Sequence, residues 1–219
     1  MSLLDLTPDD LLSTTRAVRK RLDFDRPVED DVIRDCVRLA MQAPSGSNNM
    51  TMQFVVVKDA EKRAAIGEIY RQCYETYQGI DGVYIGSIDK SGEAEQRQQM
   101  RSTESADFLG ANLGRAPALV IACTATGRLD GTPAMASASM LANVLPAMWS
   151  FMLAARARGL GTAWTTVTLM QEQAVADVVG IPYESVQQAC LSPLAYTIGT
   201  DFTPARRPAP DTIIHWDRW

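Results

Sequence analysis

The length and composition of the chain are those of one globular domain. Its 219 residues, 46% of them hydrophobic, are enough to bury a core, and we predict a single domain over residues 1–219. A net charge of −5 argues against a nucleic-acid-binding protein, because such proteins normally present a basic face.

The amino-terminal residues and the cysteines favour a cytoplasmic protein that binds no membrane. The segment after Met1 has neither the basic start nor the apolar run of a secretion signal. No apolar stretch approaches the roughly 20 residues that cross a bilayer. The cysteines are widely spaced and have only one histidine to join them, so we expect reduced thiols and no metal site. They are Cys36, Cys73, Cys123 and Cys190.

Helical and extended patterns alternate through the first half of the chain. Apolar residues recur at three- and four-residue spacing over 29–43 and 61–78, which predicts two amphipathic helices. Between them, residues 54–57 are typical of a buried strand. Residues 79–108 are polar and weakly patterned, and we predict an insert there: a mobile loop as far as Gly92, followed by a lid helix.

The second half contains the most apolar segments. Residues 118–123 form a continuous apolar run, which is typical of a second buried strand. A long helix is predicted over 134–158. It is apolar on most sides, and its small and sulfur-containing residues favour close helix packing. Residues 162–168 are predicted to be extended, and 171–179 to form a short helix.

The chain ends with a strand and an irregular tail. Residues 189–198 are predicted to form a last central strand, in which Pro193 favours a bulge. The tail, 203–219, is rich in proline and arginine and carries Trp216 and Trp219. Two tryptophans on a tail require a surface that covers them, and a second protomer is a natural one.

The motifs of several common enzyme classes are absent. The sequence contains no Gly-x-Gly-x-x-Gly after a strand, no Gly-x-x-x-x-Gly-Lys-Ser/Thr loop and no Gly-x-Ser-x-Gly turn. The single histidine, His215, lies four residues from the carboxyl end, which is a poor position for a general base because termini are often poorly ordered. Chemistry without a nucleophile, a metal or a base indicates a cofactor that carries the reaction.

A basic segment and a turn of small residues suit one flavin mononucleotide. Four cations stand within six positions: Arg16, Arg19, Lys20 and Arg21. The flavin presents a phosphate and an N1/O2 edge that becomes negative on reduction, and both attract cations. A solvated basic turn is the alternative, because charge runs usually lie at the surface. Residues 43–48, Ala-Pro-Ser-Gly-Ser-Asn, bring together hydroxyl and amide groups suited to the ribityl chain and the ring edge.

In order and spacing, these segments resemble the FMN-dependent nitroreductase family. The similar segments are residues 15–22, 27–28, 43–48, 54–57, 141–164, 198–199 and 204–208, so that chiefly the 79–108 insert is unmatched. The resemblance implies an α+β fold, a nitroreductase-like three-layer α/β/α sandwich with a mixed, mainly antiparallel central sheet. It also implies a homodimer with a swapped carboxy-terminal tail and two FMN sites across the interface. A monomer core is the alternative interpretation of the apolar helix.

The resemblance assigns the phosphate end of the cofactor to two separate segments. Arg16 and Arg206 would bind the phosphate, with Arg207 as a helper. Ala17 and Val18 would approach the cofactor through their backbone.

The ring and the ribityl chain are assigned to further residues. Lys20 would lie at the N1/O2 edge and support the reduced flavin, although Arg19 takes that role if the register differs by one residue. Ser45 and Asn48 would contact the ribityl and pyrimidine side. Many family members follow the asparagine with Gln-Pro-Trp, whereas this chain has Met-Thr-Met, so a contact from Met50 would be reduced to its backbone.

A third segment would pass along the flavin ring. Thr165, Thr166 and Val167 would follow its face, with a backbone N–H directed at N5. The alternative is that the two threonines are ordinary strand residues, because β-branched residues readily fill strands.

The function implied by the resemblance is that of an FMN-dependent NAD(P)H oxidoreductase. NADH or NADPH would give a hydride to flavin N5 and leave, and a small aromatic acceptor would then be reduced at the same place, in ping-pong order. Nitroaromatic compounds and quinones are the expected acceptors. Two alternatives stay open: another chemistry of the same superfamily, such as dehalogenation, desaturation or flavin destruction, and a non-enzymatic FMN-binding protein.

Overall fold

The computed structural model of the protein describes residues 3–219, and this part of the chain contains six α-helices and four β-strands. The helices are α1 (Pro8–Thr14), α2 (Asp30–Ala40), α3 (Ala60–Gln78), α4 (Glu93–Asn112), α5 (Ala134–Ala157) and α6 (Glu172–Val179). The strands are β1 (Met52–Val57), β2 (Ala118–Thr124), β3 (Leu160–Thr162) and β4 (Gln187–Tyr196).

Local side-chain chemistry explains several helix ends. The Thr7 hydroxyl accepts a hydrogen bond from the backbone N–H of Asp10 at the start of α1, and the Asp59 carboxylate accepts one from Lys62 at the start of α3. Gly180, whose φ of 75° lies in the left-handed region, ends α6. These ends are therefore set by a few residues of the local sequence.

The strands form one sheet in the order β1–β2–β4–β3, in which every neighbouring pair is antiparallel. An isolated bridge between Ala17 and Thr162 runs parallel and extends the sheet beyond β3. The amino-terminal basic segment therefore lies at the β3 edge, whereas β1 forms the opposite edge.

The bulge in β4 lies at a different place from the one predicted. The register between β2 and β4 shifts between Ala122 and Cys123, so that Ala189 is the extra residue. The predicted bulge at Pro193 is wrong, because Pro193 pairs in register with Leu119. The restricted φ of proline is compatible with an extended strand, and only its N–H is lost.

Helices cover both faces of the sheet. On one face, α2 and α5 pack around the fully buried Met148 and Phe151. On the other face, α3, α4 and α6 pack around Ile66 and Leu109. Strands β2 and β4 are buried along their whole length, which explains why they have apolar runs instead of alternating residues. The predicted three-layer α+β architecture is confirmed.

Several element boundaries differ from the predictions. Helix α2 ends at Ala40, before the expected end at residue 43, and α4 continues to Asn112 and not only to 108. A 3₁₀ turn, Ile85–Ser87, interrupts the loop that precedes α4. The longer α4 places Leu109 in the core, so that the insert is attached to the sandwich by packing.

The extended segment predicted over 162–168 is wrong beyond its first residue. Strand β3 ends at Thr162, Thr165 forms a single bridge with Leu191, and Val167–Gln171 is a 3₁₀ turn. The ladder stops because the Ala163 N–H donates to the Ser192 hydroxyl, at 3.0 Å, and not to a strand neighbour.

Helix α5 is more apolar than the sequence analysis allowed. By length and composition its 24 residues are sufficient to cross a membrane, so the expectation that no segment reaches this length is wrong. Half of its most apolar window is buried inside the protein, where α5 packs against the sheet and α2. Core helices of soluble proteins meet the same criterion, and α5 is therefore weak evidence for a membrane span.

The tail leaves the sandwich and exposes large apolar side chains. Its regular structure within residues 203–219 is one 3₁₀ turn, Pro210–Thr212. Ile213, Trp216 and Trp219 are 74%, 78% and 101% exposed. Within this protomer the two tryptophans are therefore uncovered, as their position in the sequence suggested.

Candidate functional site

An arginine-lined cavity of about 570 Å³ lies beside the β3 edge. Three segments enclose it: the stretch that follows α1, one face of α4 and residues 203–206. Its charged lining consists of four arginines, Arg16, Arg19, Arg101 and Arg206. The predicted phosphate residues Arg16 and Arg206, which are 190 positions apart in sequence, therefore line the same cavity.

The sheet edge fixes the basic segment. The Val18 N–H donates to the Thr162 carbonyl at 2.8 Å, and the Val18 side chain is buried. Arg16 then extends towards the tail, where its Nη1 donates to the Thr203 carbonyl at 3.1 Å. Because the Val18 N–H already has a partner, a backbone donor for a cofactor in this segment comes from Ala17 instead.

The arginines of the cavity are poorly compensated by the protein. Arg206 forms an ion pair with Glu95 of α4, at 3.4 Å between Nη2 and Oε1. Within residues 3–219, the guanidinium groups of Arg19 and Arg101 have no hydrogen-bond or ion-pair partner. Burial lowers the pKa of Arg19, and the nearby positive charge of Arg16 adds to this effect. The cavity is thus prepared for an anion.

An aromatic pocket of about 330 Å³ adjoins the arginine-lined cavity, since Arg19 lines both. Its walls include Tyr70, Tyr74, Tyr77 and Trp164, together with the predicted ring contacts Thr165, Thr166 and Val167. The Thr165 hydroxyl lies 3.4 Å from the Tyr70 hydroxyl oxygen. Arg19 is the one charged side chain that lines this pocket within the described chain. The pocket therefore suits a planar ring with a negative edge.

One backbone donor beside the pocket is free. The Thr166 N–H donates to no acceptor within residues 3–219, whereas the Thr165 N–H donates to the Leu191 carbonyl at 2.9 Å. Thr166 is exposed, so its N–H is open to water or to a ligand. Of the three predicted ring contacts, Thr166 is therefore the one with a donor to offer.

The tyrosines of the pocket are held neutral. The hydroxyl groups of Tyr74 and Tyr84 donate to Oδ1 of Asp107, at 2.9 and 2.8 Å. Burial, and then the hydrogen bond to this carboxylate, raises the pKa of Tyr74 above its usual value. Burial also raises the pKa of Tyr70. At physiological pH these rings are therefore uncharged, polar-edged walls.

Lys20 and Arg19 share one smaller pocket with Arg16 and Ser105, but they differ in their other surroundings. Lys20 Nζ donates to Glu104 Oε2 at 3.3 Å in a half-exposed surface pair. It lines neither the arginine-lined cavity nor the aromatic pocket, whereas Arg19 lines both. The chain turns at Lys20 and Arg21, where the Leu22 N–H donates to the Arg19 carbonyl at 3.2 Å, and the two side chains therefore have different surroundings although they are adjacent in sequence.

The turn of small residues is not part of this site within one protomer. Ser45 precedes a 3₁₀ turn, Gly46–Asn48, which is held to α5 by a 2.7 Å hydrogen bond from the Gly46 N–H to Asn143 Oδ1. Both Ser47 and Asn48 have a φ of 54°, a left-handed conformation that is uncommon for residues with a side chain. Met50 follows it and is 48% exposed.

The sheet register shows how far this turn is from the basic segment. Met52, which follows the turn, is level with Gln187 of β4, whereas Thr162 beside Ala17 is level with Leu194. Seven residue steps along β4 and three strand spacings across the sheet amount to roughly 25 Å. The structure therefore divides the predicted site residues into two groups at opposite corners of the sheet.

Arg207 lies just outside the arginine-lined cavity. It is exposed and lines a neighbouring pocket of about 490 Å³ with Lys90 and Arg206. Arg206 lines both spaces, so that the predicted main ligand and its predicted helper occupy adjacent positions.

Sequence reasoning missed the contribution of α4 and the tyrosines. Gln98, Arg101, Ser102 and Ser105 of α4 all line the arginine-lined cavity. Their spacing of three, four and seven residues is that of one helix face, a signal that was present in the sequence. The sequence did not single out Tyr70 and its neighbours on α3 as site residues. The structure places them at the margin of the core, where their rings line a pocket.

The buried thiols offer no nucleophile. All four cysteines are buried and form no disulfide. Burial raises the pKa of Cys36 to about 11, and those of Cys123 and Cys190 to about 12. At neutral pH they are protonated and chemically inert.

Comparison with known sequences identifies the family. The sequence profile described as Nitroreductase family matches residues 12–197. The chain belongs to the nitroreductase family. The match includes Arg16, Arg19 and Thr166 but ends before Arg206, which lines the same cavity as Arg16. No curated protein sequence matches the chain significantly.

Solved structures share the fold over almost the whole chain. Oxidised iodotyrosine deiodinase bound to FMN and 3-iodo-L-tyrosine is 18% identical with a TM-score of 0.69, and covers 96% of this chain and 99% of its own. A variant of the FMN- and NADPH-dependent nitroreductase NfnB from Sphigopyxis sp. strain HMH is 19% identical with a TM-score of 0.67, covering 98% and 100%. A BluB-like flavoprotein from Clostridium difficile 630 is 17% identical with a TM-score of 0.64, covering 97% and 100%. At these identities the likeness establishes the fold.

Proposed function

We propose that this protein is an FMN-dependent NAD(P)H oxidoreductase that reduces small aromatic acceptors in ping-pong order. The observation that carries the proposal is that the arginine-lined cavity and the aromatic pocket adjoin at Arg19, which lines both. One end offers guanidinium groups, which bind phosphate oxygens through paired N–H donors. The other end offers aromatic and apolar walls for a planar ring. FMN has a phosphate and a ring system at its two ends, and the donor set fits both.

The phosphate end is formed by Arg16 and Arg206. Arg16 uses one N–H on the Thr203 carbonyl and keeps its other donors for a ligand. Arg206 is held at the cavity by Glu95, and a phosphate dianion provides a stronger partner than this exposed carboxylate. Ala17 adds its backbone, and Arg207 supports from the adjacent pocket.

Arg19 is better placed than Lys20 to stabilise the N1/O2 edge. Arg19 lies at the junction of the two spaces and has no protein partner within residues 3–219. Lys20 is engaged with Glu104 at the surface. A cation close to developing negative charge in a water-poor site favours the charged state strongly. The register alternative left open by the sequence is thus resolved in this proposal in favour of Arg19.

The ring end is positioned for hydride transfer. When bound, FMN supplies the atom, N5, that accepts a hydride from NADH or NADPH and returns it to the acceptor. The free Thr166 N–H provides a donor beside the aromatic pocket, and Thr165 and Val167 line the same wall. Tyr70, Tyr74 and Tyr77 then provide aromatic walls for a flat acceptor.

The second group of predicted residues completes the site in a homodimer. Ser45 and Asn48 lie roughly 25 Å from the basic segment within one protomer, as judged from strand geometry. A two-fold interface through α5 would bring Ser45 and Asn48 of the partner subunit to the site of this chain. The exposed Trp149 and Met135 of α5 and the uncovered tail tryptophans support an interface, with the tail exchanged between protomers.

Anaerobic reduction of the reconstituted protein tests the proposal. The purified protein is loaded with FMN, and NADPH or NADH is added without oxygen while the yellow absorbance is followed. We expect bleaching within one turnover and recovery on addition of a nitroaromatic compound or a quinone. A colourless protein that does not bind added FMN would exclude the flavin assignment. If FMN binds but neither NADPH nor NADH reduces it, the reductase activity is excluded and a non-enzymatic FMN-binding protein remains.

The acceptor is then identified by a screen on the reduced protein. Nitroaromatic compounds, quinones and halogenated phenols are offered to it in turn without oxygen. Preferential oxidation by nitroaromatic compounds or quinones supports the proposed activity. Reaction with halogenated phenols alone, with release of halide, would assign the site to reductive dehalogenation instead.

A further inference from the structure

One face of α4 closes the phosphate end of the candidate site. Gln98, Arg101, Ser102 and Ser105 line the arginine-lined cavity, and the other side of the helix places Leu109 in the core. The helix therefore presents hydrogen-bond donors to the same space as Arg16 and Arg206. Packing at its carboxy-terminal end holds this face over the cavity.

Arg101 differs from the other arginine of this helix. Arg97, one turn earlier, forms an exposed ion pair with Glu93 and does not line the cavity. Arg101 is also exposed, but it lines the cavity and has no hydrogen-bond or ion-pair partner within residues 3–219. The two side chains have the same chemistry, and only one of them is left without an acceptor.

The charge of the cavity requires more compensation than the protein provides. Four guanidinium groups surround it, and Glu95 is the carboxylate that pairs with one of them. Like charges around one space repel one another, and a phosphate monoester dianion removes most of that repulsion. A ligand held only by Arg16 and Arg206 would leave the charge of Arg101 uncompensated.

We infer that Arg101 is a third guanidinium ligand of the FMN phosphate, with the hydroxyl groups of Ser102 and Ser105 beside it. This inference rests on the proposed function. Its consequence is that the cofactor phosphate holds α4 against the tail, so that the helix is a clamp on FMN as well as a wall of the site. Riboflavin, which has the same ring without the phosphate, does not hold the clamp.

The test compares two ligands and two matched variants. Apoprotein is titrated with FMN and with riboflavin, and dissociation constants are obtained from quenching of flavin fluorescence. We expect Arg101→Gln to weaken FMN binding about tenfold or more, because a charge-assisted hydrogen bond is lost, while riboflavin binding is unchanged. Arg97→Gln, on the same helix, should change neither constant.

Hydrogen exchange provides an independent readout. FMN should slow exchange over residues 93–112 in the wild type and in Arg97→Gln, whereas riboflavin should not, and Arg101→Gln should lose the FMN effect.

Each result bears on a defined claim. Unchanged FMN affinity in Arg101→Gln would overturn this inference and leave the proposed function intact. An equal loss for FMN and riboflavin would also overturn it, because the residue would then act on the ring or on the fold. A wild-type protein that binds neither flavin would overturn the proposed function together with the inference.

Discussion

Two arginine environments in this protein have opposite properties. Arg128 forms a two-pronged ion pair with Glu172, at 2.9 and 2.7 Å between Nη1 and Oε1 and between Nη2 and Oε2. It also donates to the Val186 carbonyl and the Tyr183 hydroxyl. Glu172 in turn accepts hydrogen bonds from the Gln187 side chain and from the backbone N–H of Gln188. All these partners belong to the protein itself.

In the arginine-lined cavity the same residue type lacks partners. Arg19 and Arg101 have none within residues 3–219, and Arg206 has one carboxylate at 3.4 Å. A guanidinium group whose donors are all used stabilises the fold, whereas several unused groups around one space prepare it for an anion. The comparison separates structural from ligand-binding arginines without reference to their position in the sequence.

Arg156 shows that a missing partner alone does not mark a binding site. Its side chain is buried, Nη2 donates to the Thr14 hydroxyl and the Thr200 carbonyl, and Nε and Nη1 have no partner within the described chain. It lines none of the cavities described above. Access from a cavity is therefore needed as well as an unused donor.

The largest effect on stability is expected at Arg128, whose hydrogen-bond donors are used within the protein. Glu172→Ala removes both hydrogen bonds of the two-pronged pair and leaves Arg128 only the exposed carboxylate of Asp130, at 3.3 Å, and we expect a loss of about 3–5 kcal/mol in the free energy of unfolding. Urea unfolding measures this loss. Glu93→Ala, which breaks the exposed pair with Arg97, is the control and should cost less than about 0.5 kcal/mol. A loss below about 1 kcal/mol for Glu172→Ala would contradict the claim that Arg128 stabilises the fold.

Arg206→Ala should affect ligand binding instead of stability. We expect FMN affinity to fall about 10- to 100-fold, because hydrogen bonds between charged groups contribute about 1.5–3 kcal/mol. The unfolding free energy of the apoprotein should change by less than about 0.5 kcal/mol, because the Arg206–Glu95 pair is exposed. Equilibrium titration with FMN measures the affinity, and urea unfolding measures the stability. Arg207→Ala is the comparison variant and should weaken FMN binding less than Arg206→Ala. Undiminished FMN affinity would reject the phosphate role.

Arg19 and Lys20 provide a finer contrast within one segment. Arg19→Ala should slow the reduction of bound flavin by NADPH about tenfold or more, because a cation next to developing negative charge is lost. Lys20→Ala removes a surface pair with Glu104 and should change the rate little. Anaerobic stopped-flow spectroscopy at the flavin absorbance measures both rates. The reverse order of effects would return the role to Lys20.

The smallest effect is expected from inorganic phosphate on the apoprotein. An anion that relieves repulsion among the four arginines stabilises the folded state by mass action. At three times its dissociation constant the gain is about 0.8 kcal/mol, which corresponds to about 2–3 °C in Tm for a domain of this size. Differential scanning calorimetry in phosphate, with chloride at equal ionic strength as control, measures the shift. Equal Tm values in the two salts would contradict an anion-binding cavity.

Much of the fold was predictable because it rests on local pattern. The apolar periodicity of α2 and α3 and the continuous apolar runs of β2 and β4 follow from burial on one helix face or on both strand faces. The short strand β3 and the bulge at Ala189 were missed, because both are set by hydrogen bonds to other strands. Propensity carries no information about such partners.

The candidate site was predictable only in part, for a related reason. The sequence singled out Arg16 and Arg206, which line one cavity, and left Arg19 and Lys20 as alternatives; it did not single out Arg101, which lines the same cavity. The direction of each side chain in the basic segment depends on how its backbone is fixed, and here that is by the Ala17–Thr162 bridge and the turn that follows Arg19.

By itself, the sequence determined that this chain is a member of the nitroreductase family with an α+β fold, because order, spacing and apolar periodicity are properties of the chain alone. The tertiary structure decided which residues meet. It placed Arg16, Arg101 and Arg206 around one cavity and left the Gly46–Asn48 turn at the opposite corner of the sheet. The physical reason is that packing and strand pairing bring together residues far apart in sequence, and a local pattern does not encode these distances.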